Sequence, residues 1–329
     1  MQLPKIYKDA DLNLIKNKSI GIIGYGNQGR AQALNLLDSG MDVSIGLRKE
    51  SSSWKMAVDS GLNCISINDI VKKCDIISLL IPDQVMKKVY SENIESHLSG
   101  GKTLLFSHGY NIHYNLIQPP EFINVIMVAP SGAGSELRKQ FKIGKGIPGL
   151  IAVHQDYSRD SFNTVLSYSK AIGLTRMGVF KSTFKEETET DLFGEQIILT
   201  GGIPKLIQSA YKVLLEANYN PITAWFVCYY ELKTIVDLFH SKGFEFMNKA
   251  ISDTAEFGGI SRGNRIINEN VRNEMRLALE EIQSGKFHKE WMNEYENGYP
   301  QLKNMRKQEK QIPIEEISRQ LLKVLCENK

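Results

Sequence analysis

The sequence predicts an α/β fold followed by an all-α one, a doubly wound sheet over the first half and a helical domain over the second. Three observations carry this reading. A strand, a glycine-rich turn, a helix and a second strand follow one another within residues 18–48. Continuous apolar runs then alternate with helical stretches as far as residue 156. From Thr183 onward the strand pattern stops, and long amphipathic segments of helical spacing take over. A chain of 329 residues is long for one core, so two domains are the natural partition. The expected division is 1–182 and 183–329, with "KSTF" (181–184) as the join.

The first strand, "SIGII", runs into Gly24, Tyr25, Gly26, Asn27, Gln28 and Gly29, and a helical pattern follows from Ala31 to Leu37. Gly40 ends that helix and "DVSIGL" supplies the next strand. A glycine pattern alone is weak, but in a strand–turn–helix–strand unit of about 30 residues it reads as a dinucleotide fingerprint of the Rossmann type. Gly24 allows the tight turn, Gly26 lets backbone approach a pyrophosphate, and Gly29 lets helix and strand pack closely. The phosphates then meet free N–H groups at the helix N-terminus. About 20 residues on, where NAD sites place an acid for the ribose 2′-hydroxyl, this chain has Arg48, with Lys49, Ser51 and Ser53 close behind. A guanidinium fork and hydroxyl donors suit a 2′-phosphate, which favours NADPH.

The runs "CDIISLLIP" (74–82), "KTLLFSHG" (102–109), "NVIMVAP" (124–130) and "GLIAVHQD" (149–156) read as further strands of a parallel sheet. "DQVMKKVYSENIESHL" (83–98) reads as one of the covering helices. Ligands of such sheets lie at the carboxyl ends of strands. His108 and Ser131 fall just past two of those ends, where a substrate would meet the nicotinamide.

In the second half, "TFKEETETDLFGEQ" (183–196) concentrates five carboxylates ahead of an apolar run. Asp191 and Glu195 are i,i+4 neighbours on one helix face, where like charges repel unless a cation lies between them. Few, hard oxygen ligands suit Mg²⁺. Glu231 interrupts an apolar helix, and Lys233 is badly placed to neutralise it. The residues alone leave two readings open. One is a metal site of Asp191, Glu195 and Glu231. The other has Glu186, Glu187 and Glu189 as solvated first-turn charges and Glu231 half exposed.

The bulk properties narrow the function class. Hydrophobic residues make up 42%, charged residues 23% and aromatics 9%, as in ordinary soluble proteins. With 40 basic and 37 acidic residues, the net charge of +3 leaves no nucleic-acid footprint. No run approaches the ~20 apolar residues of a membrane span. Cys64, Cys74, Cys228 and Cys326 are scattered singly, which favours a reducing compartment over disulfides or zinc. The start, "MQLPKIYKDADLN", has no signal-peptide pattern, so the expected location is cytoplasmic.

Taken together, "IGYGNQG", "HGYNIH", "LIAVHQD", "TFKEETETDLFGEQ", "ELKTIVDL" and "ISDTAE", in that order, resemble ketol-acid reductoisomerase in its short bacterial form, over essentially the whole chain. The resemblance implies a Rossmann domain, a knotted helical domain, and a homodimer with shared active sites, sometimes in larger rings. It implies a two-step reaction on 2-acetohydroxy acids such as 2-acetolactate, in which Mg²⁺-dependent alkyl migration precedes reduction by NADPH. The product is a 2,3-dihydroxy acid for branched-chain amino-acid synthesis (valine and isoleucine). By motif position, Asp191 and Glu195 would hold metal on one chain and Glu231 on the partner. His108 would be a polar or proton-transfer group and Ser252 would bind the substrate carboxylate. Asp83, Gln84 and Gly134 would join the fingerprint around the cofactor.

The chain departs from the family pattern in three places. Ser131 stands where a lysine is usual, Val227 where a glutamate precedes the one matching Glu231, and Arg30 where a histidine follows the glycines. A full cofactor site and first metal site are therefore expected, with one cation and one carboxylate fewer for the migration step. Three functions fit this pattern. One is a working reductoisomerase, another a relative that only reduces a carbonyl or imine, and the last a cofactor-binding protein without turnover.

Overall fold

A computed structural model describes residues 4–326. The strands in chain order are β1 (Ile6–Tyr7), β2 (Ser19–Ile23), β3 (Asp42–Gly46), β4 (Asn63–Ile65), β5 (Ile76–Leu79), β6 (Thr103–Phe106), β7 (Asn124–Pro130), β8 (Gly149–Gln155) and β9 (Val179–Lys181). They form one sheet in the order β1-β9-β8-β7-β6-β5-β2-β3-β4. From β4 to β7 every pairing is parallel. The chain winds outward from β2 to β4, then crosses to β5 and winds the other way. The order reverses between β2 and β5, which opens a crevice at their carboxyl ends.

Why these runs are strands is plain from their surroundings. β5 and β6 are buried at every position, as a sheet covered on both faces requires. One face packs Ile20, Ile22, Ile45 and Leu105 against Ala33 and Leu36 of the fingerprint helix (Asn27–Asp38) and against Leu137 and Tyr168. The other packs Ile23, Ile77, Leu104 and Phe106 against Ile70, Met86 and Phe184.

Two expectations need correction. The run 149–156 is a strand, but β8 is antiparallel to β7, pairing Pro130 with Gly149. The segment between them leaves and re-enters the sheet at the same end, where the Ser131 N–H donates to the Pro148 carbonyl at 2.9 Å. A chain that returns to the end it left can only run backwards. The stretch 83–98 is not one helix either. It is α-helical over Asp83–Val89, widens to a π-turn over Tyr90–Ile94 and tightens to a 3₁₀ turn over Glu95–His97.

By its contacts the chain divides into two compact units, one reaching Thr190 and the other starting at Asp191. The acidic helix, Phe184–Gly194, starts in the first and ends in the second. Among the described residues the second unit contains helices and no strand. Its small core gathers Tyr211, Ala224, Trp225 and Ile314, with the Trp225 indole N–H donating to Ser318 Oγ at 2.8 Å. No helix of the described residues is long and apolar enough to cross a membrane.

Candidate active site

The glycine turn after β2 is built as its spacing predicts. Gly24 sits at φ +101°, and a Cβ there would lie 2.4 Å from the Leu80 carbonyl oxygen. A Cβ on Gly29 would meet the Gly24 carbonyl oxygen at the same 2.4 Å, so the helix enters hard against the strand. Gly26, the N-cap of the fingerprint helix, has open space where a side chain would be. Backbone N–H groups are thus left accessible for a phosphate. Asn27 is exposed beside it, while Tyr25 is buried with a hydroxyl that meets no hydrogen-bond partner.

The loop after β7 closes on the same turn. Gln28 Nε2 donates to the Gly132 carbonyl at 2.9 Å, and a Cβ on Gly134 would lie 2.2 Å from the Asn27 carbonyl oxygen. Glycine is required there by contact. The result is a cleft of about 530 Å³ lined by Gly26, Asn27, Arg30, Ser135, Arg138 and Lys142. Arg138 is paired with Asp38 at 2.6 Å, and Arg30 and Lys142 beside a helix N-terminus suit an anionic ligand. Arg48 is exposed past β3 and begins a turn in which the Ser51 N–H donates to its carbonyl at 3.0 Å. Ser53 opens the helix that follows.

His108, past β6, meets Glu187, one of the acids that the second of the two open readings places in solvent. Its Nδ1 lies 3.0 and 3.1 Å from the two carboxylate oxygens of Glu187, which is 4% exposed. Glu187 also accepts the Gly109 N–H at 2.7 Å. An ionised carboxylate only accepts, so the imidazole tautomer assigned here carries its proton on Nδ1. Gly109 permits the approach, since a Cβ there would lie 2.5 Å from both the Phe184 carbonyl and Thr188 Oγ1. Glu189 is buried as well and lies 3.4 Å from His113 Nε2, whereas Glu186 is exposed. The reading of 186, 187 and 189 as solvated first-turn charges therefore holds for Glu186 alone. The helix docks on the strand ends, and burial makes each inward acid find a histidine.

Asp83, at the start of the helix after β5, accepts from Asn111 Nδ2 at 3.2 Å. Burial raises its pKa, Glu187 pushes in the same direction, and His108 opposes both. His108 thus stands in the field of two carboxyls. Gln84 follows Asp83 in the same first turn.

His113 is held below the ordinary histidine pKa by burial, with Lys185 and His108 pushing the same way and Glu189 pulling against them. The unfolded chain therefore binds a proton here that the folded chain refuses. Stability from this group is complete above about pH 6.5 and is lost as pH falls through the lowered folded value. His113→Asn is expected to flatten the decline of Tm between about pH 6.5 and 5. Melting curves with the wild-type slope would remove His113 from that decline.

His108, Glu187 and Asp191 present ligand atoms that all lie within 4.8 Å of one another. Among the described residues this is the group of three or more such side chains brought together. Glu195 and Glu231 stand outside it. Each lies at a π-helical turn, Glu195 opening that over Glu195–Leu199 and Glu231 closing that over Phe226–Tyr230. Such turns concentrate at functional sites. Ser252 caps the helix Asp253–Ile266, accepting the Ala255 N–H at 3.3 Å. Ser131 is exposed at the end of β7, and Val227 is 53% exposed within the second π-turn. Glu187 was missed although its signal was present. It precedes Asp191 and Glu195 at a regular spacing of four on one helical face.

Comparison with known proteins shows which family the two halves of the chain match. Residues 14–178 match the family described as acetohydroxy acid isomeroreductase, NADPH-binding domain, and residues 184–326 match ketol-acid reductoisomerase, C-terminal domain. The chain is 49% identical to a ketol-acid reductoisomerase (NADP(+)) of Methanocaldococcus jannaschii, over 96% of each chain. It is 50% identical to the enzyme of the same name from Methanothermobacter thermautotrophicus, over 98% of each. A solved NADH-preferring ketol-acid reductoisomerase from an uncultured archean superposes with a TM-score of 0.94 at 39% identity, covering 97% of this chain and 98% of that one.

Proposed function

From a chain that belongs to the ketol-acid reductoisomerase family, we propose a working reductoisomerase that converts 2-acetohydroxy acids to 2,3-dihydroxy acids with NADPH, in branched-chain amino-acid biosynthesis. Per turnover it moves one alkyl group and consumes one hydride and one proton. The observation that carries the reading is the convergent group His108, Glu187 and Asp191 on a chain matched along both family domains. Hard carboxylate oxygens brought this close fit a small divalent cation. Asp191 and Glu195 would hold Mg²⁺ from one copy and Glu231 from a second. When bound, the ion supplies Lewis acidity toward the substrate's carbonyl and hydroxyl oxygens.

The chain's own residues do the rest. The fingerprint backbone and Arg30 hold the cofactor's diphosphate, and Arg48 with Ser51 and Ser53 reads the 2′-phosphate. Asp83, Gln84 and Gly134 border the cofactor. Glu187 holds the His108 ring in place, and His108 serves as the polar or proton-transfer group for the proton that accompanies hydride transfer. Ser252 binds the substrate carboxylate in addition to capping its helix.

A second copy belongs to this reading. The helical unit leaves Leu199, Val213, Val227, Phe244 and Phe257 between 53% and 71% exposed. So much apolar surface over so small a core fits an obligate partner, and a homodimer is the simplest. Sedimentation showing only a 37.2 kDa species at assay concentration would remove it.

The test follows NADPH oxidation with Mg²⁺ on two substrates. Turnover on 2-acetolactate supports the full reaction. Turnover confined to the pre-isomerised 3-hydroxy-2-keto acid would overturn it, and Ser131 and Val227 then mark where migration was lost. NADPH binding without either activity would overturn catalysis altogether. Arg48→Asp is expected to raise KM for NADPH about tenfold or more, since one charge-assisted contact contributes ~1.5–3 kcal/mol. An unchanged KM would mean that the 2′-phosphate is read elsewhere.

A further inference from the structure

The polar contacts beneath the fingerprint form a continuous chain, centred on a buried amide and reaching the surface at Gly132. Gln32, one turn after Gln28 on the fingerprint helix, is fully buried. Its Nε2 donates to Ser107 Oγ at 2.9 Å and to Gln28 Oε1 at 3.2 Å. Its Oε1 accepts from the Tyr168 hydroxyl at 3.0 Å. Gln28 passes the chain on, donating to the Gly132 carbonyl at 2.9 Å. Both amide protons and the carbonyl of Gln32 are thus committed, each to a different element.

The placement of those elements gives the chain a function. Ser107 is the residue before His108, and Gly132 is the residue after Ser131. Gln28 lies inside the glycine fingerprint. A single amide therefore ties the cofactor turn to the loops past β6 and past β7. A buried amide held this way has one low-energy position, because releasing any partner leaves a polar group without water. From Gln28 the path to the His108 loop runs through two hydrogen bonds, and the path to the Gly132 loop through one.

We infer that Gln32 is a positioning residue, which couples occupancy of the dinucleotide turn to the placement of His108 through Ser107. The inference rests on the reductoisomerase reading for the role of His108. Tyr168 is the anchor of the chain. Its hydroxyl is buried, reaches Ser78 Oγ at 3.5 Å as well, and keeps Gln32 from turning its amide over.

Two variants test this. Gln32→Leu keeps the side-chain volume close and removes every bond of the amide. Ser107→Ala cuts only the link toward His108 and leaves the helix packing intact. Both are expected to lower kcat, Ser107→Ala by about tenfold, since misplacements of 1 Å cost up to ~10²-fold. The dissociation constant for NADPH, read by fluorescence titration, is expected to stay within about twofold in Ser107→Ala, because that variant leaves the fingerprint contacts untouched. The double variant is expected to be no slower than Gln32→Leu alone, because both act through one path. Unchanged kcat in Ser107→Ala, a loss confined to NADPH affinity, or fold-changes that multiply in the double variant would each overturn the coupling.

A second readout needs no turnover. In histidine-labelled protein the His108 ring resonances are expected to move in Ser107→Ala relative to wild type. Superimposable resonances would overturn the proposal. A wild type inactive on 2-acetolactate would instead defeat the reading of the reaction, and the resonance comparison would still decide the coupling.

Discussion

Asp191→Asn is expected to lower turnover on 2-acetolactate by a factor on the order of 10³ or more, since a bound metal supplies several kcal/mol and each 1.36 kcal/mol is tenfold. The substitution keeps the shape of the side chain and removes its charge. Asp191 is exposed on the acidic helix yet within 4.8 Å of ligand atoms of Glu187 and His108. Carboxylate oxygens this close together are the kind of ligands a small divalent cation takes. Calorimetric titration with Mg²⁺ is expected to lose its heat in the variant. NADPH affinity in metal-free buffer is expected to stay put, because the fingerprint is made by other elements. Retained turnover would take the metal out of the mechanism. Lost turnover with Mg²⁺ binding intact would move the metal to other ligands.

Glu187→Gln carries the second large effect. Glu187 is 4% exposed and holds both His108 Nδ1 and the Gly109 N–H. A glutamine keeps an acceptor for the backbone group but presents an amide that no longer enforces one imidazole tautomer. Turnover is expected to fall about 10²-fold, the lower range for a positioned acid–base group. Stability is expected to change by only about 1 kcal/mol, the net value of one hydrogen bond. The pH–rate profile separates this from a structural defect, because freeing the imidazole from Glu187 moves the limb that reports its titration. A profile of unchanged shape with a lower Tm would reduce Glu187 to a packing role. Glu187→Ala is a poorer probe, since it strands buried donors at a cost of about 1–3 kcal/mol and mixes stability with chemistry.

The places where the sequence reading erred share one cause. β8 was read as parallel because periodicity reports how residues alternate and carries no direction. Its direction is set by the return of the chain at Pro148, a contact with Ser131 across the strand ends. The 83–98 helix was read as continuous because α- and π-turns use the same apolar spacing over one or two turns. The acids at 186, 187 and 189 look alike as letters. Helix docking through Gly109 buries two of them and leaves the third in water. The Gln32 chain is a further instance, since nothing in "NQGRAQAL" marks one glutamine as the tie among a helix, Ser107 and Tyr168.

What the residues alone determined is everything local in the chain. The fingerprint turn, the alternation of buried strands with helices, the change to helices at Thr183 and the i,i+4 spacing of Asp191 and Glu195 all follow from backbone geometry over a few residues. The family pattern rests on the same short stretches. Only the tertiary structure decided which carboxylates face a histidine, which amide is buried, and at which end of the sheet the loops converge. Those outcomes depend on desolvation and on contacts between residues up to 136 apart in the chain, as Tyr168 and Gln32 are. A charged or polar side chain is costly to bury alone, and its partner becomes identifiable only when the fold has removed the water between them.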